Sequence, residues 1–249
     1  MKNASITEVI YKMEPATPGV FQTAEFLEAK GAPQKHCILL HGWNSDASAM
    51  DAIKGVLMNF PEARNWRFWW LNYDSHLASF KTSAHQLVNL LAAQPYDFST
   101  TVFVAYSMGG LVARQMIASG FPAKALVTIC TPHHGVAPWV PTPNTGTQSM
   151  APWSADLAAL NNNPTDAAHR RSYHFFGITY SDIRGKHEDD VIVTIGSAMG
   201  DTLGDTATRL KIHLDYGNGL AGPDPHWRGM DPNYVKPATS LCQKLFARL

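Results

Sequence analysis

Ser107 closes the apolar run Val102-Phe103-Val104-Ala105-Tyr106, and Met108-Gly109-Gly110 with a helical pattern of Leu111, Val112, Met116 and Ile117 follows at once. A strand that turns through a serine directly into a helix spells the pattern G-x-S-x-G, here with Ala105 in the first glycine position. Such a turn holds the serine at a strained backbone angle and lifts its hydroxyl clear of the sheet. The helix leaves close beside the strand, so the positions two before and two after the serine need almost no side chain. Ala105 and Gly109 satisfy that, and Gly110 adds clearance. The same pentapeptide also fits an ordinary strand–helix junction with a serine N-cap. What separates the two is whether the chain supplies partners for the hydroxyl.

A serine hydroxyl is a poor nucleophile until an imidazole takes its proton and a carboxylate holds that imidazole in the right tautomer. On a doubly wound sheet the expected chain order is serine, acid, histidine, each on a loop at the carboxyl end of a strand. Glu188-Asp189-Asp190 lies beyond an apolar strand pattern at 172–179, and Asp182, just after that pattern, is the positional rival. Of the 11 histidines, only His213 and His226 follow these acids. His213 sits inside the strand pattern Leu210-Lys211-Ile212-His213-Leu214, which suits a structural role. His226 follows a Gly/Pro-rich loop and precedes the last helix, where a base can reach back to the serine. The oxyanion that develops on carbonyl attack needs fixed N–H donors. The backbone N–H of Met108 is one candidate and that of Trp43, in His41-Gly42-Trp43-Asn44, is the second; Gly42 lets the loop turn in close, and His41 props it.

These residues must be placed by a scaffold, and short apolar runs alternating with helical patterns predict βαβ units and a mainly parallel sheet. Strands are expected at 6–13, 20–28, 36–40, 66–71, 102–106, 125–130, 172–179 and 208–214. Helices are expected at 47–60, 79–94, 108–119 and from about Asp231 to the C-terminus. Between 131 and 170 the rhythm breaks. Prolines at 132, 138, 141, 143, 152 and 164 replace it, with one helical patch at Ser154–Leu160. Loops this long are usually functional. The expectation is one α/β domain over 1–249 with a cap inserted at about 134–170. Apolar cap residues Val136, Trp139, Val140, Met150, Trp153 and Leu157, with Trp43 and Met108, are the expected wall of a substrate pocket.

Composition narrows the partners. Lys+Arg and Asp+Glu are both 20, so neither a basic face for nucleic acid nor an acidic tail is expected. No stretch approaches the 18–20 apolar residues of a membrane span, and the first residues lack the apolar core of a signal peptide. The three cysteines are odd in number and far apart. They read as reduced thiols, and the chain as cytoplasmic, although a secreted mature form would look the same. No C-x-x-C pair offers a zinc site. Asp182, Glu188, Asp189, Asp201 and Asp205 could supply calcium ligands, but no EF-hand-like spacing appears; neither metal nor cofactor is expected.

From about residue 36 onward the chain resembles the bacterial lipase and carboxylesterase families of the α/β-hydrolase superfamily. Ile38-Leu39-Leu40-His41-Gly42-Trp43 resembles their oxyanion strand and loop, and Tyr106-Ser107-Met108-Gly109-Gly110-Leu111-Val112-Ala113-Arg114 their elbow and helix. Thr131-Pro132-His133-His134-Gly135 resembles the turn after the next strand, and Ser154-Ala155-Asp156-Leu157-Ala158-Ala159-Leu160-Asn161 a cap segment. Asp190-Val191-Ile192-Val193, with Ser197-Ala198 downstream, resembles the Asp-Gly-Val-Val segment that carries the acid, with Val191 where a glycine is usual. The resemblance favours Asp190 over Asp182 and Asp189. It implies a doubly wound α/β-hydrolase sheet with an inserted cap, and hydrolysis of small-molecule or lipid esters by Ser107, His226 and Asp190 through an acyl-enzyme; with no secretion signal seen, short to medium acyl chains are the expected substrates. A true triacylglycerol lipase or polyester hydrolase would use the same residues, as would an acyltransferase; a binding-only protein would not need all three. Haloalkane dehalogenation would require an aspartate at the position of Ser107.

Overall fold

Strand β3 (Lys35–Leu40) shows how the chain divides its apolar residues. Ile38 and Leu40 enter one hydrophobic cluster while Cys37 and Leu39 enter another. Successive side chains of a strand point to opposite faces, so a strand buried on both sides must be apolar throughout. β4 (Trp66–Leu71), β5 (Thr100–Tyr106) and β6 (Ala125–Ile129) share that burial. The computed structural model describes the backbone of residues 7–12 and 23–28, and residues 35–221 and 224–249.

The sheet runs β1 (Thr7–Lys12), β2 (Thr23–Glu28), β4, β3, β5, β6, β7 (Tyr173–Asp182), with β9 (Thr208–Asp215) parallel along the far edge of β7. β3, β4, β5, β6, β7 and β9 are mutually parallel. β1 and β2 pair antiparallel at one end, and the short β8 (Gly185–His187) folds back on β7. From β3 the chain moves outward to β4 and then returns to lay β5 on the other side of β3. That reversal opens a crevice beyond the carboxyl ends of β3 and β5, where open α/β sheets bind ligands.

Helices α2 (Phe80–Ala92) and α3 (Met108–Ala118) cover one face with Phe80, Leu87, Leu111 and Val112. α1 (Asp51–Met58) and the C-terminal α9 (Lys236–Arg248) cover the other with Ile53, Leu57, Cys242 and Phe246. The expected helix 47–60 is split, Ala47–Met50 being a 3-10 turn capped by the Asp46 carboxylate. The expected helix from Asp231 begins only at Lys236. Pro232 interrupts the approach, and Pro237 sits in the helix's first turn, where a missing N–H costs nothing.

The segment between β6 and β7 holds more helix than its sequence suggests. Besides α5 (Ala155–Asn161) it carries α4 (Thr145–Ser149) and α6 (Pro164–His169). Both are too short for periodicity, yet each has a side-chain cap: Asn144 accepts from the Thr147 N–H and Asn163 from the Asp166 N–H. α7 (Ile195–Met199) and α8 (Asp224–Trp227) are likewise short and were not anticipated. A buried ion pair pins the segment to α3. The Asp166 carboxylate accepts from Arg114 at 2.8 and 3.1 Å, from Arg170 Nε at 2.9 Å and from the Tyr173 hydroxyl at 3.1 Å. Among the described residues, no helix is long and apolar enough to cross a membrane.

Candidate active site

β5 ends at Tyr106, and Ser107 takes φ +52°, ψ −124° before α3 begins at Met108. Left-handed backbone is costly for a residue with a Cβ, and several contacts impose it. The Ser107 N–H donates to the Ile129 carbonyl at 2.8 Å, and its own carbonyl accepts from the Thr131 hydroxyl at 2.9 Å. The glycines that follow have steric causes. A Cβ on Gly109 would lie 2.5 Å from the carbonyl oxygens of Leu40 and His41, and one on Gly110 would lie 2.1 Å from Thr131 Oγ1. The elbow helix therefore runs directly against the end of β3 and the turn after β6.

His226 is carried by α8 and is 3% exposed. Its Nδ1 lies 2.8 Å from Asp190 Oδ2 and its Nε2 3.1 Å from Ser107 Oγ. A carboxylate only accepts, so Nδ1 bears the proton and Nε2 is free to accept from the serine hydroxyl. The Tyr106 hydroxyl donates to the His226 carbonyl at 2.9 Å and so ties the histidine to the end of the serine strand. The second carboxylate oxygen of Asp190 accepts from the N–H groups of Ile192 at 3.1 Å and Val193 at 2.7 Å. Between them Val191 adopts φ +81°. This is the position where the resemblance expects glycine, and the backbone there does have a glycine-like conformation despite the valine.

The other candidates lie outside this hydrogen-bonded chain. Asp182 pairs with Arg184 at 2.6 Å and with His187 at 3.1 Å, and also accepts from the Ala221 N–H at 3.3 Å. The guanidinium of Arg184 holds the Asp182 carboxyl below the usual carboxylate range. Asp189 caps the Val191 N–H at 2.8 Å. His213 on β9 meets the hydroxyls of Thr179 and Ser181. Glu188 pairs with Lys211 at 2.9 Å, and Asp205 faces Arg171 at 4.0 Å, both side chains exposed. Among the described residues the five acids considered for calcium do not converge. The compact His/Cys/acid group there is Cys130, Asp190 and His226.

The loop after β3 brings its backbone to the serine. A Cβ on Gly42 would meet Ser107 Cβ at 3.1 Å and the Tyr106 ring at 3.0 Å. His41 is buried, stacked on Tyr73 with centroids 4.2 Å apart, and its Nδ1 donates to the Gly42 carbonyl at 2.8 Å. The Tyr73 hydroxyl donates in turn to the His41 carbonyl. Burial lowers the His41 pKa to about 4, so a neutral ring braces the turn. The Trp43 indole stacks on His76, and its N–H donates to Asn144 Oδ1 at 3.3 Å, linking the loop to the N-cap of α4.

Above Ser107 and His226 lies a cavity of about 290 Å3. Its apolar walls include Trp43, Val136, Val140, Met150, Ile192 and Trp227, with Pro141 and Pro143 beside them. Four of the expected wall residues are elsewhere. The Met108 side chain is fully buried in the core beneath the sheet's helical layer, so only its backbone faces the serine. Leu157 is also buried in that core. Trp139 is 60% exposed, its indole N–H donating to the Val191 carbonyl at 2.9 Å, and Trp153 is 76% exposed. Ile192 and Trp227 follow the acid and the histidine closely in the chain, and that adjacency was the available signal for them.

No family model matches the chain, and no curated protein sequence matches it. Solved structures do. A lipase from Bacillus licheniformis, BlEst2 in its mature form, superimposes with a TM-score of 0.52 at 14% identity, covering 94% of this chain and 98% of that one. A ferulic acid esterase gives 0.59 at 13% identity, with 98% and 100% covered. A haloalkane dehalogenase variant from Bradyrhizobium elkanii gives 0.55 at 10% identity, with 96% of each covered. The fold is that of the α/β-hydrolase superfamily. Its members differ in reaction, so at these identities the likeness is one of fold, and the chemistry must be read from the site.

Proposed function

We propose that this protein is a serine hydrolase of carboxylic esters, acting through Ser107, His226 and Asp190. The observation that carries the reading is the continuous chain from Ser107 Oγ through both nitrogens of His226 to Asp190, lying at the floor of an apolar cavity. In this reading Ser107 Oγ attacks the ester carbonyl while His226 Nε2 takes its proton. Asp190 holds the ring in the productive tautomer and stabilises the imidazolium. The oxyanion is met by the N–H groups of Trp43 and Met108; among the described residues neither has an acceptor within the fold. His226 then protonates the departing alkoxide, and water, deprotonated by the same nitrogen, releases the acid and restores the serine.

The cavity is at the small end for ligand sites, which run to roughly 300–1,000 Å3. That volume favours short to medium acyl chains over the long chains of a triacylglycerol lipase. The segment 134–170 supplies Val136, Val140, Pro141, Pro143, Thr147 and Met150 to the wall, and we read it as the cap of the site. Hydrolysis of p-nitrophenyl esters from acetyl to palmitoyl tests the assignment. Activity should peak at short or medium chains and fall by about 10⁴–10⁶ in kcat for Ser107→Ala. A peak at palmitoyl would favour a lipase, and an active Ser107→Ala protein would refute the mechanism.

A further inference from the structure

Cys130 follows the last residue of β6 and takes φ +52°, a second strained position beside the elbow. It is fully buried, and its N–H donates to the Phe176 carbonyl of β7 at 2.8 Å. Its neighbour Ile129 accepts the Ser107 N–H, so one strand end holds both the serine and the thiol. Cys130 Sγ, an Asp190 carboxylate oxygen and a His226 ring nitrogen lie within 4.8 Å of one another. The thiol is confined from behind: a Cβ on Gly229 would come within 3.1 Å of Sγ and 2.7 Å of the Tyr106 ring. Strained backbone persists where surrounding structure imposes it, and such residues gather at functional sites.

An ionised carboxylate has about four acceptor positions. Three donors are accounted for at Asp190, namely Ile192 N–H, Val193 N–H and His226 Nδ1–H. Cys130 Sγ lies within 4.8 Å of a carboxylate oxygen of Asp190, close to the acceptor position that is left. Burial and then the negative charge of Asp190 push the Cys130 thiol well up, so it carries its proton and can donate. Of the ionisable groups near this cluster, Tyr106 spends its hydroxyl on the His226 carbonyl and Asp189 accepts from the Val191 N–H, while Tyr180 feels the charge of Asp190.

We propose that Cys130 is a positioning residue whose S–H donates to Asp190, so that the carboxylate stays aligned on His226. This rests on the reading of Ser107, His226 and Asp190 as the hydrolytic machinery. The alternative is a cysteine that merely fills space as a small apolar group. The two differ in what happens when the proton donor is removed and then restored.

The test compares Cys130→Ala and Cys130→Ser with the wild-type enzyme, using p-nitrophenyl butyrate turnover and the low-field proton resonance of His226 Nδ1–H. Losing a hydrogen bond to a charged group should lower kcat about tenfold with KM unchanged. A carboxylate relieved of one donor attracts the imidazolium more strongly, so the acid limb of kcat/KM should rise by about half a pH unit and the resonance should move. Cys130→Ser restores a donor and should bring all three readings back toward wild type. A folded Cys130→Ala protein with an unchanged acid limb and an unmoved resonance overturns the proposal, whatever its stability. If the alanine variant does not fold, Cys130→Gly, which also lacks the donor and suits the left-handed backbone at this position, carries the test: an unmoved resonance and acid limb there also overturn the proposal. The resonance needs no turnover. Activity retained by Ser107→Ala would therefore defeat the hydrolase reading while leaving Cys130 separately judged.

Discussion

Val191 offers a test in which two conservative substitutions should reverse their usual order. At an ordinary position alanine is more stable than glycine by about 0.5–1 kcal/mol, because glycine loses more backbone freedom on folding. Val191 stands at φ +81°, where any Cβ meets the neighbouring carbonyl at a cost of roughly 1–2 kcal/mol. Glycine escapes that cost. Subtracting its extra entropy leaves Val191→Gly more stable than Val191→Ala by about 1 kcal/mol, or about 2–4 °C in melting temperature for a chain of this length. The wild type should fall close to the glycine variant. Its half-buried side chain packs against the cluster on the α9 side of the sheet, which contributes about 1 kcal/mol, but β-branching adds strain. Chemical denaturation of the three proteins reads the order directly. Ester turnover should change little in the glycine variant, since Asp190 keeps its bonds to Ile192 and Val193. Alanine more stable than glycine would refute a left-handed backbone at this position.

Other outcomes follow from the same geometry. Asp166→Ala leaves the Arg114 guanidinium, fully buried, without its carboxylate, and should cost about 3–5 kcal/mol in a denaturant titration; a cost below 1 kcal/mol would mean that the pair is not buried in solution. Gly109→Ala forces a Cβ to within 2.5 Å of two backbone carbonyls, so it should lower both melting temperature and turnover, and an unaffected variant would contradict the packing of α3 on β3. Stability should also fall with acidification between pH 7 and 5. Burial, aided by Arg67, lowers His36 to about 4, burial lowers His41 to about 4, and burial, then Arg114, holds His133 well below its usual range. In that window the unfolded chain binds protons that the folded chain refuses, so each histidine removes about 2 kcal/mol by pH 5. A flat denaturation midpoint from pH 7 to 5 would show that these rings are not held neutral.

Much of this protein was settled by its sequence. The apolar runs of β3, β5 and β6 admit no assignment but strands buried on both faces, and Ser107 stands where such a run meets a helix with no room for side chains. Chain order and the Gly/Pro-rich approach pointed to His226 over His213, which lies in β9 as its alternating pattern implied. Local rules were sufficient there, because periodicity and steric clearance act between residues close in the chain. The acid was different. Asp182, Asp189 and Asp190 carry the same carboxylate within nine positions; the family resemblance favours Asp190, but spacing and topology do not separate them, and the folded loop puts Asp190 on His226 with Val191 in a conformation its side chain resists. The cavity wall was the least legible part. Trp139 and Trp153 look like pocket residues by type, yet they stand outside the cavity, while Pro141, Ile192 and Trp227 line it. Direction in an irregular segment has no period to read. It is set by where Trp43 bonds Asn144, the cap of α4, and where Arg114 holds Asp166, contacts 101 and 52 residues apart in the chain that exist only after the sheet has brought those elements together.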